Sequence, residues 1–186
     1  MKMRVFLIER RWLSVLAALA ACGAIFCAVS FPGVVTAASS TRQLPIYSVE
    51  REQRAAALTV NIDGADTDVR PLMDAMARGG VQATFFVTGA WAEANPEDLL
   101  ALTQAGHEVM NHGHAYAGYK DLDADQIRED VTACGDAIEA VTGQRPALVR
   151  CPHGEFDDHV IAAIRALGLE AVQWDVDSQD WKGASA

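Results

Sequence analysis

Short apolar runs alternate with longer amphipathic segments between residues 56 and 174. The apolar runs predict strands at 56–60, 83–87, 108–110, 147–149 and 170–174, and the periodic segments predict helices at 68–77, 96–105, 123–141 and 157–167. Strands that alternate with helices favour parallel pairing, which indicates an α/β fold, either barrel-like or open. Sites in such folds lie at the carboxyl ends of strands, so the residues directly after each strand are the functional candidates.

The N-terminal segment has a different pattern. An uncharged apolar run of 20 residues, Trp12 to Phe31, follows Arg10 and Arg11 and is long enough to cross a bilayer as a helix. Positively charged flanks stay in the cytoplasm, so the rest of the chain is expected outside the cytoplasmic membrane.

Three alternatives for this segment stay open. Residues 1–37 form either an uncleaved membrane anchor or a signal peptide that is cleaved after the small residues Val35-Thr36-Ala37. Lipid attachment at Cys22 is the third alternative. All three predict a membrane-anchored or secreted protein. Residues 38–50 are expected to be a tether, and residues 51–186 the folded domain.

Charge excludes one class of partner. The chain has 15 basic and 25 acidic residues, and the first 37 residues contain four of the basic ones and one acidic one. The remainder therefore has 11 basic and 24 acidic residues, a balance that disfavours nucleic acid as a partner. Cys134 and Cys151 also lie in the domain, and their spacing leaves both a disulfide and two free thiols open.

Polar, metal-capable and aromatic residues gather after the predicted strands. These stretches are Asn61–Gly64, Asn111–Tyr116, Arg150–Gly154 and Asp175–Trp181. Because the carboxyl ends of parallel strands meet at one edge of the sheet, they are expected to lie together.

Several motifs, taken in order, resemble those of a known family. They are Ala83–Gly89, Gly106–Val109 running into Asn111-His112, Val141–Gly143 with Arg145-Pro146, Arg150-x-Pro152-x-Gly154, and Trp174–Trp181. Together they resemble the polysaccharide deacetylase family, which has a NodB-homology domain and is also called carbohydrate esterase family 4. Leu44–Val49 further resembles the spore-associated peptidoglycan deacetylase branch.

The resemblance implies a distorted (β/α) barrel and a metal-dependent hydrolase of the acetamide C–N bond in N-acetylated sugars. It implies a divalent metal, commonly zinc, that polarises the acetamide carbonyl and activates water. It also implies an Asp base followed by an Asp ligand, two His ligands in a His-x-x-x-His motif, an Arg that holds the base, and a Leu-x-x-His motif that supplies the acid.

This sequence departs from the family at the positions of the catalytic and metal-binding residues. In an ungapped alignment Asn61 falls at the position of the base and Ile62 at the position of the Asp ligand. An amide cannot act as a general base, and an isoleucine cannot bind a metal ion. His112 matches the first His ligand, whereas Tyr116 stands at the second. No Leu-x-x-His motif follows Trp181, so the barrel is expected to be truncated at its C-terminus.

Other positions keep their expected roles. Arg150 and Asp180 match catalytic positions, with Arg150 expected to pair with Asp177 or Asp180 because Asn61 offers no carboxylate. Pro152, His153 and Trp181 are the expected substrate-binding residues. A substitute metal site could form from Asp63, His112 and His114, since Asp63 shares a strand face with Asn61.

Three functional hypotheses follow. The first is a metal-dependent N-deacetylase of peptidoglycan or a related glycan, with impaired activity. The second is an inactive relative, a pseudoenzyme, that binds N-acetylated glycan or a wall-associated partner. The third is a truncated gene product. In the first two the expected partner is N-acetylated glycan, and in all three the N-terminal segment is expected to contact the membrane.

Overall fold

Five parallel strands and their connecting helices form the domain. The structure, a computed structural model, describes residues 42–64 and 66–183, so the predicted anchor or signal peptide lies outside the described residues. The strands pair in chain order, β1-β2-β3-β4-β5, and every pair is parallel. This arrangement confirms the predicted α/β fold. Within the described ranges, no helix has the length and apolar character needed to cross a membrane.

All the predicted elements are present in the predicted order with different ends, and one helix that was not predicted lies at Gly89–Ala94. They are β1 (Thr59–Ile62), α1 (Arg70–Gly79), β2 (Thr84–Val87), α2 (Gly89–Ala94), α3 (Pro96–Gln104), β3 (Glu108–Asn111), α4 (Ala124–Thr142), β4 (Leu148–Val149), α5 (Asp158–Ala166) and β5 (Glu170–Ala171). Short 3₁₀ turns lie at Tyr119–Asp121, Pro152–Gly154 and Asp180–Lys182. The first strand lies later than predicted, which places Asn61 inside β1.

Helix boundaries follow from local hydrogen bonds. Asp123 caps α4 by accepting from the backbone N–H groups of Asp125 and Gln126, and the Gln126 side chain completes a capping box. The Asn95 side chain donates an N–H to the carbonyl of Trp91 at 3.0 Å. Its amide therefore secures the end of α2.

The helices cover one face of the sheet. Two clusters of buried side chains lie there, the first around Phe85, Val87 and Trp91, and the second around Val149 and Ile161. Because side chains alternate along a strand, the neighbouring residues of each strand lie on the opposite face. That opposite face carries the polar residues considered below.

Part of the segment predicted as a tether lies on the sheet. Ile46 forms a parallel bridge with Val172: its N–H donates to the carbonyl of Ala171 and its carbonyl accepts from the N–H of Gln173, both at 2.8 Å. The rings of Tyr47 and Phe156 meet edge to face, with centroids 6.5 Å apart. The segment therefore continues the sheet beyond β5.

The cysteine alternatives are resolved in favour of thiols. Cys134 and Cys151 are both free and buried, one in each apolar cluster.

Candidate functional site

The strand register aligns the residues that end the strands. Ile62, Val87, Asn111, Val149 and Ala171 form one row across the sheet. The residues directly after this row include Asp63, His112 and Arg150. Because side chains alternate, all three belong to the face opposite the helices, at the carboxyl edge. The site predicted from the sequence is therefore gathered by the register itself.

Arg150 joins the two edges of the sheet. Its guanidinium donates to the side-chain oxygens of Asn61 at 2.8 Å and Thr59 at 3.0 Å, both on β1. It also donates to the carbonyls of Val172 and Gln173, just after β5, at 3.5 and 3.2 Å. In a flat sheet β4 and β1 would lie roughly 14 Å apart. The sheet is therefore strongly curved around this side chain, although its described strands leave it open.

The guanidinium is enclosed by aromatic rings. Arg150 is 1% exposed, and its Cζ lies 3.9 Å from the centroid of the Phe86 ring and 5.5 Å from that of Trp174. Burial lowers the pKa of Arg150 to about 10. The predicted pairing with Asp177 or Asp180 is not among its contacts. Asn61, an amide, therefore occupies the position where the family resemblance implies a carboxylate.

His112 has one satisfied and one unsatisfied ring nitrogen. Its Nδ1 lies 2.8 Å from the backbone carbonyl of Arg150. A carbonyl only accepts, so Nδ1 carries the proton and Nε2 presents a lone pair. This Nε2 is buried and has no hydrogen-bond partner. Burial lowers the pKa of His112 to about 4, with the nearby Arg150 charge acting in the same direction, so the ring is neutral at pH 7.

Tyr116 lies between His112, His153 and Asp63. Its ring centroid is 5.2 Å from that of His112 in an edge-to-face contact and 4.4 Å from that of His153. Burial raises the pKa of Tyr116, and the negative charge and hydrogen bond of Asp63 raise it further. Tyr116 and His153 both have positive φ angles, 56° and 58°, which non-glycine residues rarely adopt. Strained backbone of this kind clusters at functional sites.

Asp130, which the sequence pattern did not indicate, holds the loop after β3 together with Asn111. Asp130 of α4 accepts from the N–H of His114 at 2.8 Å and of Ala115 at 3.0 Å. The side chain of Asn111 accepts from the N–H of Gly113 at 2.9 Å and donates to α4.

His114 does not join the predicted substitute metal set. Its Nε2 lies 3.3 Å from a carboxylate oxygen of Glu93 on α2, away from His112. Ile62, at the ligand position, is buried in the apolar core. Among the residues that the structure describes, no group of three or more His, Cys, Asp or Glu side chains could hold a metal ion. The residues present therefore do not fit the zinc site that the family resemblance implies.

The remaining predicted residues are spread along the same edge. Pro152 is buried and His153 exposed within the turn Pro152–Gly154. Asp180 lies in the last 3₁₀ turn and accepts from the Ser178 hydroxyl at 3.0 Å. The side chain of Trp181 lies outside the described part of the chain, so its predicted role in substrate binding stays a prediction.

Comparison with known proteins places this fold and site in a family. A family model described as polysaccharide deacetylase matches residues 48–172. PdaC, a peptidoglycan-N-acetylmuramic acid deacetylase of Bacillus subtilis, is 30% identical over 135 residues, which cover 73% of this chain and 28% of that protein. A peptidoglycan-N-acetylglucosamine deacetylase of Bacillus cereus is 30% identical over 141 residues, 75% of this chain and 51% of that protein.

The solved structure of a related pseudoenzyme is also similar. A pseudoenzyme of carbohydrate esterase family 4 from Bacillus anthracis superposes with a TM-score of 0.72 at 28% identity, covering 76% of this chain and 50% of that one. A mutant of the same protein has restored enzymatic activity. This chain spans about a quarter to a half of the length of the relatives just named. The family model and the shared fold show that the chain belongs to the polysaccharide deacetylase family.

Proposed function

We propose that this chain is a pseudoenzyme of the polysaccharide deacetylase family that binds N-acetylated glycan, of the peptidoglycan type, without hydrolysing it. The observation that carries the proposal is the hydrogen bond from Arg150 to the side-chain oxygen of Asn61 at 2.8 Å. Arg150 makes the contact that the family resemblance implies for the base, but its partner is an amide.

Two components of the family's hydrolytic reaction are missing, the general base and the metal site. A general base must take a proton from water, and a neutral amide oxygen does not do so at neutral pH. A catalytic zinc site needs three protein ligands and an open position. Of the implied ligands only His112 is present, and Ile62 is buried in the core. Among the residues that the structure describes, neither the base nor a zinc site is formed.

The side chains at the carboxyl edge of the sheet support glycan binding. Asp63 and His153 are exposed there, Tyr116 is half-buried between them, and the Trp174 ring lies over Gly154 in the adjoining turn. Carboxylates and imidazoles are hydrogen-bonding partners for sugar hydroxyls and amides, and aromatic faces accept apolar groups. Two relatives are named as peptidoglycan deacetylases. Glycan of that class is therefore the proposed ligand.

The proposed location is outside the cytoplasmic membrane, in anchored or secreted form. Its support is the apolar run from Trp12 to Phe31 behind Arg10 and Arg11. Peptidoglycan lies in the same compartment. Fractionation of cells that express the full chain with a C-terminal tag tests this, and recovery of the tag in the cytosol contradicts it.

Direct binding tests the proposed function. The full chain, purified in mild detergent, is titrated with N-acetylglucosamine oligomers and with the same oligomers after chemical deacetylation. Saturable binding that favours the acetylated form is expected. His153→Ala should weaken it, whereas His159→Ala, a histidine on α5 whose ring contacts Asp157 and Leu122, should not. Absence of binding to both oligomers and to peptidoglycan fragments contradicts the proposal.

One observation favours a second candidate, a residual metal-dependent deacetylase. The buried Nε2 of His112 has no partner, and a lone pair of this kind suits a metal ion. Zinc-dependent release of acetate that disappears in His112→Ala would support this candidate over the first.

A further inference from the structure

We infer that Tyr116 closes the position that a metal ion would need beside His112, so that this chain excludes zinc rather than merely holding it weakly. The inference goes beyond glycan binding and does not depend on it, because its readout is the metal content of the protein. It rests on three contacts of Tyr116 and on the state of His112.

The available lone pair of His112 is on Nε2. Because Nδ1 donates to the carbonyl of Arg150, Nε2 is the only ring nitrogen left to bind anything. It is buried, in a side chain that is 1% exposed, and has no hydrogen-bond partner. An unsatisfied buried acceptor is unfavourable and requires an explanation.

Tyr116 lies against the imidazole ring of His112. Tyr116 follows His112 by four residues, and its ring meets the imidazole edge to face at 5.2 Å between centroids. The other side of the phenol ring lies on His153, at 4.4 Å. Tyr116 is thus held between two imidazoles.

Tyr116 also competes with a metal ion for the Asp63 carboxylate. Asp63, a candidate metal ligand, interacts electrostatically with Tyr116, whose pKa is raised first by burial and then by the Asp63 charge. The other histidine of the loop, His114, is directed to Glu93. A zinc ion at Nε2 would therefore have to compete with Tyr116 for Asp63 and would still lack a third protein ligand.

The backbone holds Tyr116 in this place. Its φ of 56° is unfavourable for a tyrosine, so the surrounding contacts must over-determine it. Asp130 fixes the two preceding residues through hydrogen bonds to their N–H groups. The ring is therefore a fixed part of the site.

Zinc content tests the inference. The full chain and its variants are equilibrated with zinc, dialysed, and analysed for metal, with unfolding by urea confirming that each is folded. The wild type and Tyr116→Phe, which keeps the ring, should retain no zinc. Tyr116→Ala removes the ring without adding a ligand, and should show His112-dependent zinc binding in competition with a chromogenic indicator. Tyr116→His should retain about one zinc per chain, because it supplies the third ligand.

The controls separate this site from the other histidines. Retention in Tyr116→His should be lost when His112→Ala is added, and should be unchanged when His114→Ala is added. Zinc bound by the wild type at one per chain would overturn the inference. So would a folded Tyr116→Ala variant that binds no more zinc than the wild type. Neither result bears on glycan binding, which is measured separately.

Discussion

The Arg150 guanidinium donates to the Asn61 side chain at 2.8 Å and to the carbonyl of Gln173 at 3.2 Å, and so links the two edges of one curved sheet. In the arrangement that the family resemblance implies, this arginine orients a catalytic carboxylate. Here it retains the geometry of that contact and holds an amide. Its remaining role is structural.

Arg150→Lys tests that structural role. Lysine keeps the buried positive charge but loses the planar fork that reaches β1 and the residues after β5 together. We expect the free energy of unfolding in urea to fall by about 2 kcal/mol. The matched control is Arg145→Lys, because Arg145 is exposed and pairs with Asp136 and Glu139 at the surface, so its change should stay below about 0.5 kcal/mol. Equal losses in the two variants would contradict the account.

Asn61→Asp should stabilise the protein. It gives the buried Arg150 charge a carboxylate partner, and a charge-assisted hydrogen bond is stronger than a neutral one. We expect a gain of about 1 kcal/mol at pH 7 in urea unfolding. Arg150 lowers the pKa of the new carboxyl in the folded state, so the gain is present above its unfolded pKa and is lost as pH falls through the folded one. Deacetylation should not return, because the metal ligands are still missing.

The buried His112 makes stability depend on pH. Its folded pKa of about 4 lies below the usual histidine pKa of 6.5, so between these values the unfolded chain binds more protons than the folded one. Stability is therefore lost as pH falls from 6.5 towards 4, by about 3 kcal/mol from this group. Urea unfolding at pH 7 and pH 4.5 should show a smaller loss in His112→Gln than in the wild type. An equal loss in both proteins would contradict burial of this ring.

The loop that carries His112 and Tyr116 depends on Asp130. The Asp130 Oδ2 accepts from the N–H of His114 and from the Tyr119 hydroxyl at 2.8 Å, and its Oδ1 accepts from the N–H of Ala115. Asp130→Asn replaces one of these two acceptors with an amide donor, so at least one N–H group loses its partner. We expect a loss of about 2 kcal/mol in the free energy of unfolding. Asp136→Asn, on the same helix but exposed, is the control and should change stability by less than about 0.5 kcal/mol. If the two variants match, the loop is held by other contacts.

The sheet could be predicted from the sequence because the hydrophobic pattern of each strand and helix is local. Apolar runs such as 83–87 and the helical spacing of 123–141 specify elements within a few residues, and the alternation of the two implies parallel pairing. The gathering of Asp63, His112 and Arg150 at one edge also followed, because it depends only on strand order and register.

The rest depended on contacts between distant residues. His114 lies two residues from His112, yet its side chain meets Glu93 because Gly113, with a φ of 76°, and Asp130 turn the loop between them. The expected pairing of Arg150 with Asp177 or Asp180 failed because the curvature of the sheet brings β1 to the guanidinium instead. Ile46 lies in the segment that was expected to be a tether, and only its pairing with Val172 makes it part of the sheet.

Acetate release is the most direct test of the central claim that hydrolytic chemistry has been lost from this site. The full chain is incubated at high concentration with zinc and N-acetylglucosamine oligomers that it binds, and acetate is quantified against a blank without protein. We expect acetate at the level of the blank, because Asn61 supplies no base and Tyr116 stands where the family has its second histidine ligand. Acetate that accumulates with time, requires zinc, and disappears in His112→Ala would contradict it.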